Sequence, residues 1–145
     1  MIKTERLKYK SQKQFEMIDV TAQVKAVLES SGVSSGIVSV FAPHTTAAIR
    51  INHNEPLLMQ DIIKMIYRLV PVDIDYSHDL FETRLGVEPG ERSNGHAHVK
   101  TFLLGSSETI PVLDKQMQLG PKQSIFLVEL DGTREREIVV TALGE

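Results

Sequence analysis

The chain contains no cysteine and no tryptophan in 145 residues. The missing cysteine excludes disulfides, thiolate zinc sites and cysteine nucleophiles, and leaves His, Asp and Glu as the candidate metal ligands. Excess positive charge is also missing. A net charge of −3 and a pI near 6.0 argue against a nucleic-acid binder that works through bulk electrostatics. No apolar run approaches the roughly 18 residues of a membrane span, and no cationic start leads into an apolar stretch. The expectation is a cytoplasmic, soluble protein with no membrane or nucleic-acid partner. Repeats and low-complexity tracts are lacking, so residues 1–145 read as one domain, long enough to bury a core without staples. No Gly-x-Gly-x-x-Gly or P-loop occurs, and Ser106-Ser107 lacks the strand–Gly-x-Ser-x-Gly–helix context. Dinucleotide, NTP and serine-hydrolase chemistry therefore gain no support.

What the chain does have is a set of five histidines, four of them at strand ends or in polar loops. Residues 91–105 carry the densest signal: the turn Ser93-Asn94-Gly95, then His96-Ala97-His98, then an apolar segment to Gly105. Read as a strand, this segment puts His96, His98 and Lys100 on one face. The N–H groups around Ser93-Asn94-Gly95 are a candidate anion nest. His44 stands at the junction of two β-rich runs, residues 36–43 and 45–52. His78 lies in the long polar connection 71–95, a length that inside a small domain signals function or disorder. Two histidines with a carboxylate or a third histidine are the raw material of a zinc site. Histidine pairs are equally at home on a polar strand face, so the metal reading and the structural one stay open on residue chemistry alone.

Residues 2–10 alternate as an edge strand, with Phe15-Glu16-Met17-Ile18 as its expected hairpin partner. Asp19 or Thr21 opens a helix that Gly32 ends. Asn52–Pro56 opens a second helix to about Leu69, its buried arc being Leu58, Ile62, Met65, Ile66 and Leu69. On its flank Asp61, near Lys64, reads as half of a solvated ion pair. Asp114-Lys115-Gln116 reads as a turn. Residues 123–131 are apolar on both faces, the mark of a covered central strand, and Glu129 interrupts one of those faces. A carboxylate buried there without a partner costs several kcal/mol, so Glu129 requires a metal, an arginine or a histidine. Lys100, Arg50 and Arg134 are the basic residues placed to serve an anionic substrate.

At these residues the sequence resembles the YjbQ-like family, whose members are described as secondary thiamine-phosphate synthases. The resemblance rests first on His44-Thr45-Thr46-Ala47-Ala48 with Asn52, Glu55-Pro56 and Asp61. It continues through Tyr76-Ser77-His78-Asp79 and Ser93-Asn94-Gly95-His96-Ala97-His98-Val99-Lys100. Its last part runs from Leu104-Gly105 through Ser107, Ile110-Pro111, Leu119-Gly120, Gln123 and Glu129 to Asp131-Gly132 and Arg134. Three departures stand out. The family has glycine at Lys115, Thr-Trp at Pro121-Lys122, and proline at Thr133.

The resemblance implies an α+β fold, a two-sheet β-sandwich of about seven strands with two helices, assembled as a homotrimer. It implies a pocket where His44, His78 and His98 converge, with His96 more peripheral. The implied activity joins a pyrimidine diphosphate to a thiazole phosphate and releases diphosphate. The charge on that leaving group needs a divalent metal, zinc or magnesium, or Lys and Arg side chains. In that reading His44, His98, His78, Glu129 and Asp61 form the catalytic set, the three histidines being metal ligands. Asn94, Gly95, His96, Lys100 and Arg134 then hold the small phosphorylated substrate. The competing readings are a trimeric metal- or anion-binding protein without catalysis and a metal-dependent hydrolase of a small phosphorylated or acyl substrate.

Overall fold

Residue alternation explains most of the architecture. In the computed structural model, which describes all 145 residues, eight strands and three α-helices follow in the order β1 (Ile2–Lys10), β2 (Glu16–Asp19), α1 (Thr21–Ser31), β3 (Gly36–Phe41), β4 (Ala47–Asn52), α2 (Pro56–Leu69), α3 (Gly95–Leu104), β5 (Ser107–Leu113), β6 (Gln116–Met117), β7 (Ser124–Glu129) and β8 (Glu135–Gly144), with one 3₁₀ turn at Ser77–Asp79. The strands make two antiparallel sheets, β1-β8-β3-β5-β6 and β2-β7-β4. The fold is therefore α+β with two sheets. The expected counts of about seven strands and two helices are corrected to eight and three.

Three layers result. Ile125 and Leu127 of β7 and Ile49 of β4 face Val38, Val40, Ile138, Val140 and Ala142 of the large sheet, and Val24, Val27 and Leu28 of α1 join the same core. On its other side the small sheet presents Ala48, Phe126 and Val128, which are covered by Ala97 and Leu104 of α3 and Met59 of α2. A strand buried on both faces must be apolar on both, which is what residues 123–131 displayed.

Residues 16–19 do not pair with β1. They pair with β7, while β1 takes the edge beside β8. The reason lies in their side chains: Ile18 packs on the main core and Met17 on the outer cluster, so this strand belongs in the sheet covered on both sides. In α2 the arc also differs from expectation. Ile66 is buried, but Met65 and Leu69 are exposed. At the β5–β6 turn, Asp114 and Lys115 both have left-handed backbones, with φ of 51° and 64°, the geometry of a two-residue hairpin turn that favours glycine in the second place. That accounts for the family's glycine at this position.

The largest departure is α3. The segment after Ser93-Asn94-Gly95 is a helix, so the expected strand placing His96, His98 and Lys100 on one face is overturned. Gly95, His96, Ala97, Lys100 and Thr101 are its buried residues, recurring at helical spacing, and Gly105 ends it with φ of 98°. His96 and Lys100 still share a face as an i, i+4 pair, but His98 is turned about 200° away from His96 at roughly 100° per residue.

Candidate functional site

Each inner face of the sandwich ends in a charge. In β7 the row Ile125, Leu127 terminates in Glu129, and in β8 the row Ala142, Val140, Ile138 terminates in Arg136. Both residues are buried. Arg136 donates from Nε to Glu129 Oε1 at 2.9 Å and from Nη2 to Oε2 at 2.6 Å. Its Nη2 also reaches the carbonyl and hydroxyl of Thr46, at 3.0 and 2.8 Å. Glu129 accepts further bonds from Ser11 Oγ at 2.7 Å and from the N–H groups of Leu130 and Asp131. Burial alone would raise the Glu129 carboxyl. The bonds from Arg136, Ser11 and Asp131, with the guanidinium charge, outweigh burial and hold it below the usual carboxylate range.

Next along the chain, Asp131 repeats the device. Buried, it accepts Asn94 Nδ2 at 2.8 Å and Arg134 Nη2 at 2.7 Å. Burial would raise this carboxyl too, but the bonds from Asn94 and Arg134 and the charges of Arg134 and Arg92 pull it down. Arg92 fastens the same loop from outside by donating to the carbonyls of Asp131, Gly132 and Thr133. Three guanidinium groups thus stand against two ionised carboxylates, which leaves a local positive balance. The bonds of Arg134 and Arg136 use Nε and Nη2, and Nη1 of each is left without a partner in the chain.

Above this network lies a cleft of about 570 Å³ lined by His44, Thr45, Thr46, Asn94, His98, Ser106, Arg134 and Arg136, together with Phe41, Ala42 and Pro43. Its size is that of a small-molecule site. His44 enters it because residues 42–46 carry the chain from the large sheet to the small one. Its Nε2 lies 3.0 Å from the Glu137 carbonyl and 3.1 Å from the Glu137 N–H. One nitrogen meets both partners only by turns: unprotonated it accepts the N–H, protonated it donates to the carbonyl. The backbone therefore serves either protonation state. Burial, then the charge of Arg136, lowers the His44 pKa.

His98 reaches the cleft from α3. Its ring meets that of His78 edge to face, with centroids 4.5 Å apart. Burial, then the neighbouring His78, lowers its pKa as well. Behind His78, Glu91 Oε1 sits 3.8 Å from Nε2 and is bound by Arg84. His78 Nε2 is itself buried without a hydrogen bond. The cleft thus combines two imidazoles held neutral near pH 7 with two guanidinium edges, the equipment for binding an anion and moving a proton beside it. No group of three or more His, Asp or Glu side chains is placed to hold a metal ion. His44, His78 and His98 therefore make no such group of three within the chain.

The comparisons with known proteins place this architecture. The model of the UPF0047 protein YjbQ-like family matches residues 5–145. The chain belongs to the YjbQ-like family. A UPF0047 protein of Methanothermobacter thermautotrophicus is 42% identical over 98% of this chain and 92% of its own length. One from Archaeoglobus fulgidus is 39% identical over 94% and 98%. Among solved structures, a YbjQ-like protein of unknown function from Sulfolobus solfataricus has a TM-score of 0.91 at 36% identity, covering 100% of this chain and 99% of its own. A hypothetical protein from Aeropyrum pernix has a TM-score of 0.88 at 35% identity, with 99% coverage of both chains.

Within this YjbQ-like chain the residues singled out from sequence separate into groups. His44, His98, Asn94 and Arg134 line one cleft. Glu129 lies behind it and anchors Arg136, a residue that sequence reasoning passed over although its place in the alternating row of β8 was visible. His78 supports His98 from the side. Asp61 is exposed on α2 and takes no part in the cleft lining. Gly95 does not form an open anion nest, because its N–H donates to Asp79 Oδ1 at 3.0 Å and its Cα hydrogen faces the Tyr76 ring so closely that a Cβ would meet Tyr76 Cβ at 2.6 Å.

His96 and Lys100 point away from the cleft lining and bond to each other, Nζ to Nδ1, at 2.7 Å. Burial, then the Lys100 charge, lowers the His96 pKa, consistent with a neutral ring whose Nδ1 accepts. Lys100 is 1% exposed and sits 4.4 Å over the Tyr67 ring with no carboxylate bound, and burial pushes its pKa down to about 8. A lysine that loses its proton more readily when folded makes folding less favourable as pH falls toward that value. Stability should therefore rise between pH 8 and 10.5 by up to about 3 kcal/mol. Denaturant titrations across that range should show this rise in the wild type and none from this site in Lys100→Met.

Proposed function

We propose that this cleft binds the phosphate or diphosphate end of a small metabolite and that the chain is an enzyme of the thiamine-phosphate-synthase kind. The observation that carries the reading is the pair of unpartnered Nη1 edges of Arg134 and Arg136 beside two neutral imidazoles, with both nearby carboxylates tied into buried bonds. In the reaction expected from the family resemblance, the thiazole nitrogen lone pair forms a C–N bond as the C–O bond to the leaving diphosphate breaks. Arg134 and Arg136 take up the charge that develops on that leaving group, and an imidazole N–H hydrogen-bonds its departing oxygen. Donors fixed by buried partners need no reorganisation as the charge appears.

The test is direct. Purified protein given a hydroxymethylpyrimidine diphosphate and a thiazole phosphate should release diphosphate, and titration with inorganic diphosphate should show binding that weakens at least about tenfold in Arg134→Ala, the loss of one charge-assisted bond. Binding without turnover would instead support a non-catalytic anion-binding protein, and no binding at all would sink both readings. The homotrimer expected from the resemblance is retained as part of this proposal. Exposed Leu57, Met65 and Leu69 on α2 give it an apolar face to use, and sedimentation would show a monomer if it is wrong.

A further inference from the structure

Helix α2 does not lie flat on the small sheet. Its first half touches the outer cluster through Met59, but Ile62 and Ile66, one and two turns further on, are absent from that cluster. Ile66 is nevertheless the one buried residue of the helix. What it faces is a pocket of about 140 Å³ between Ile62 and Ile66 on one side and Phe126 and Val128 of β7 on the other, with Leu104 of α3 also in its lining. Protein interiors are close-packed, and a void of this size left empty costs stability because its walls forfeit contacts. A cavity of this order walled by Leu, Ile and Phe stays dry and accepts an apolar guest about the size of benzene.

The pocket's polar groups are Arg50 and Asn52, two positions apart on one face of β4. The Arg50 side chain is half-exposed, so it stands where a ligand enters. Its Nη1 donates to the Leu104 carbonyl at 3.2 Å and to Glu108 Oε1 at 2.9 Å. These bonds hold the guanidinium plane and leave the Nε–Nη2 edge without a partner in the chain. Asn52 Oδ1 accepts the His53 N–H at 2.7 Å, which leaves its NH₂ group to donate elsewhere. An Nε–Nη2 edge matches the two coplanar oxygens of a carboxylate. Glu108 already offsets the Arg50 charge, so a monoanion suits this place better than a phosphate dianion. The remaining walls are apolar and offer no partner to a polar atom, so the body of the ligand is a hydrocarbon of about four or five carbons.

We infer that the space between α2 and the small sheet is a binding site for a small branched-chain monocarboxylic acid, its hydrocarbon lying between Ile62, Ile66, Phe126 and Val128 and its carboxylate on Arg50. The site shares no lining residue with the arginine cleft, and it stands whatever the cleft binds. Its occupant ties α2, which runs on into the segment carrying His78, to the end of α3, the helix that carries His98.

The experiment follows isotope-labelled isoleucine and valine methyl groups of the whole protein by NMR during titration with 3-methylbutanoate, acetate and 3-methylbutanol. The Ile62, Ile66 and Val128 signals should shift and saturate with 3-methylbutanoate. Acetate should bind at least about tenfold more weakly, since each buried carbon is worth about fourfold. The uncharged alcohol should also bind about tenfold more weakly, the loss of one charge-assisted contact. Arg50→Gln should bring acid and alcohol together. Ile62→Phe, which fills the pocket from a half-buried position, should abolish binding and raise the melting temperature. Inorganic diphosphate in excess should displace none of the acid. Acid that diphosphate displaces lies in the cleft and overturns the site, as does a preference for acid that survives Arg50→Gln. Methyl signals that ignore the acid overturn it too, and signals that move with protein concentration instead show the gap filled by a second copy of the chain.

Discussion

Arg136→Ala is expected to cost about 3–5 kcal/mol of folding stability, because it strands the Glu129 carboxylate in the core without its partner. The size of the effect comes from what remains behind. Glu129 is 0% exposed, and Ser11 and two backbone N–H groups cannot neutralise a full charge. The pH dependence distinguishes this cause from simple loss of packing. In the wild type the Glu129 carboxyl is lowered on folding, so its contribution is fully present above about pH 4.3, the unfolded value, and is lost as pH falls through the folded one. In Arg136→Ala burial is no longer outweighed, the carboxyl rises on folding, and the penalty grows as pH rises. The deficit measured by urea denaturation should therefore be largest near pH 7 and shrink toward pH 4. A deficit independent of pH would show that packing, not the stranded charge, is responsible. Replacing both residues by apolar ones of similar volume should recover much of the loss, as buried ion pairs generally permit.

The largest effect on turnover is expected at His98. Removing a positioned acid–base group costs about 10²–10⁴ in rate, and His98→Ala should fall in that range with little change in melting temperature, since the ring lies in the wall of an open cleft. Its protonation explains the expected pH profile. Burial, then the neighbouring His78, lowers the His98 pKa, and His44 is lowered by burial and by Arg136. Activity that needs a neutral imidazole should stay level from pH 8 down past the ordinary histidine value of about 6.5 and decline only below it. His78→Gln removes the largest of the charges that lower the His98 pKa, so its acid limb should move upward toward 6.5. An unmoved limb would show that His78 does not act through His98.

The strands were legible because burial writes a period of two into them. The row ending in Glu129 and the demand for a partner could both be read from residues 123–131, and arginine was among the partners required. Arg136 continues the alternation of Ile138, Val140 and Ala142, but an arginine at a strand end reads as solvated until the buried carboxylate it meets, Glu129, is known. Helix α3 was not legible locally. Asn94-Gly95 resembles a hairpin turn, His, Val, Thr and Phe are indifferent helix formers, and the carboxylate that receives the first N–H comes from Asp79, sixteen positions back. The strand reading then misplaced Lys100, which the helix buries under Tyr67 instead of turning toward an anion. The union of His44, Asn94, His98 and Arg134 depends on two connections between the sheets, at residues 42–46 and 130–134, meeting the N-terminal end of α3, and no local pattern encodes such a meeting.

Ser11 ties these loops together, and its bonds have a kinetic meaning. Its hydroxyl donates to Glu129, stands 3.2 Å from the Arg134 carbonyl and accepts the Arg134 N–H at 2.8 Å, joining positions 118 to 123 residues apart. The strands on either side of it, β1 and β8, are the first and last of the chain. Closing so long a loop is slow, because its entropy is lost before the contacts reward it. The arginine edge of the cleft is consequently expected among the last parts of the molecule to form, after α3 has placed His98.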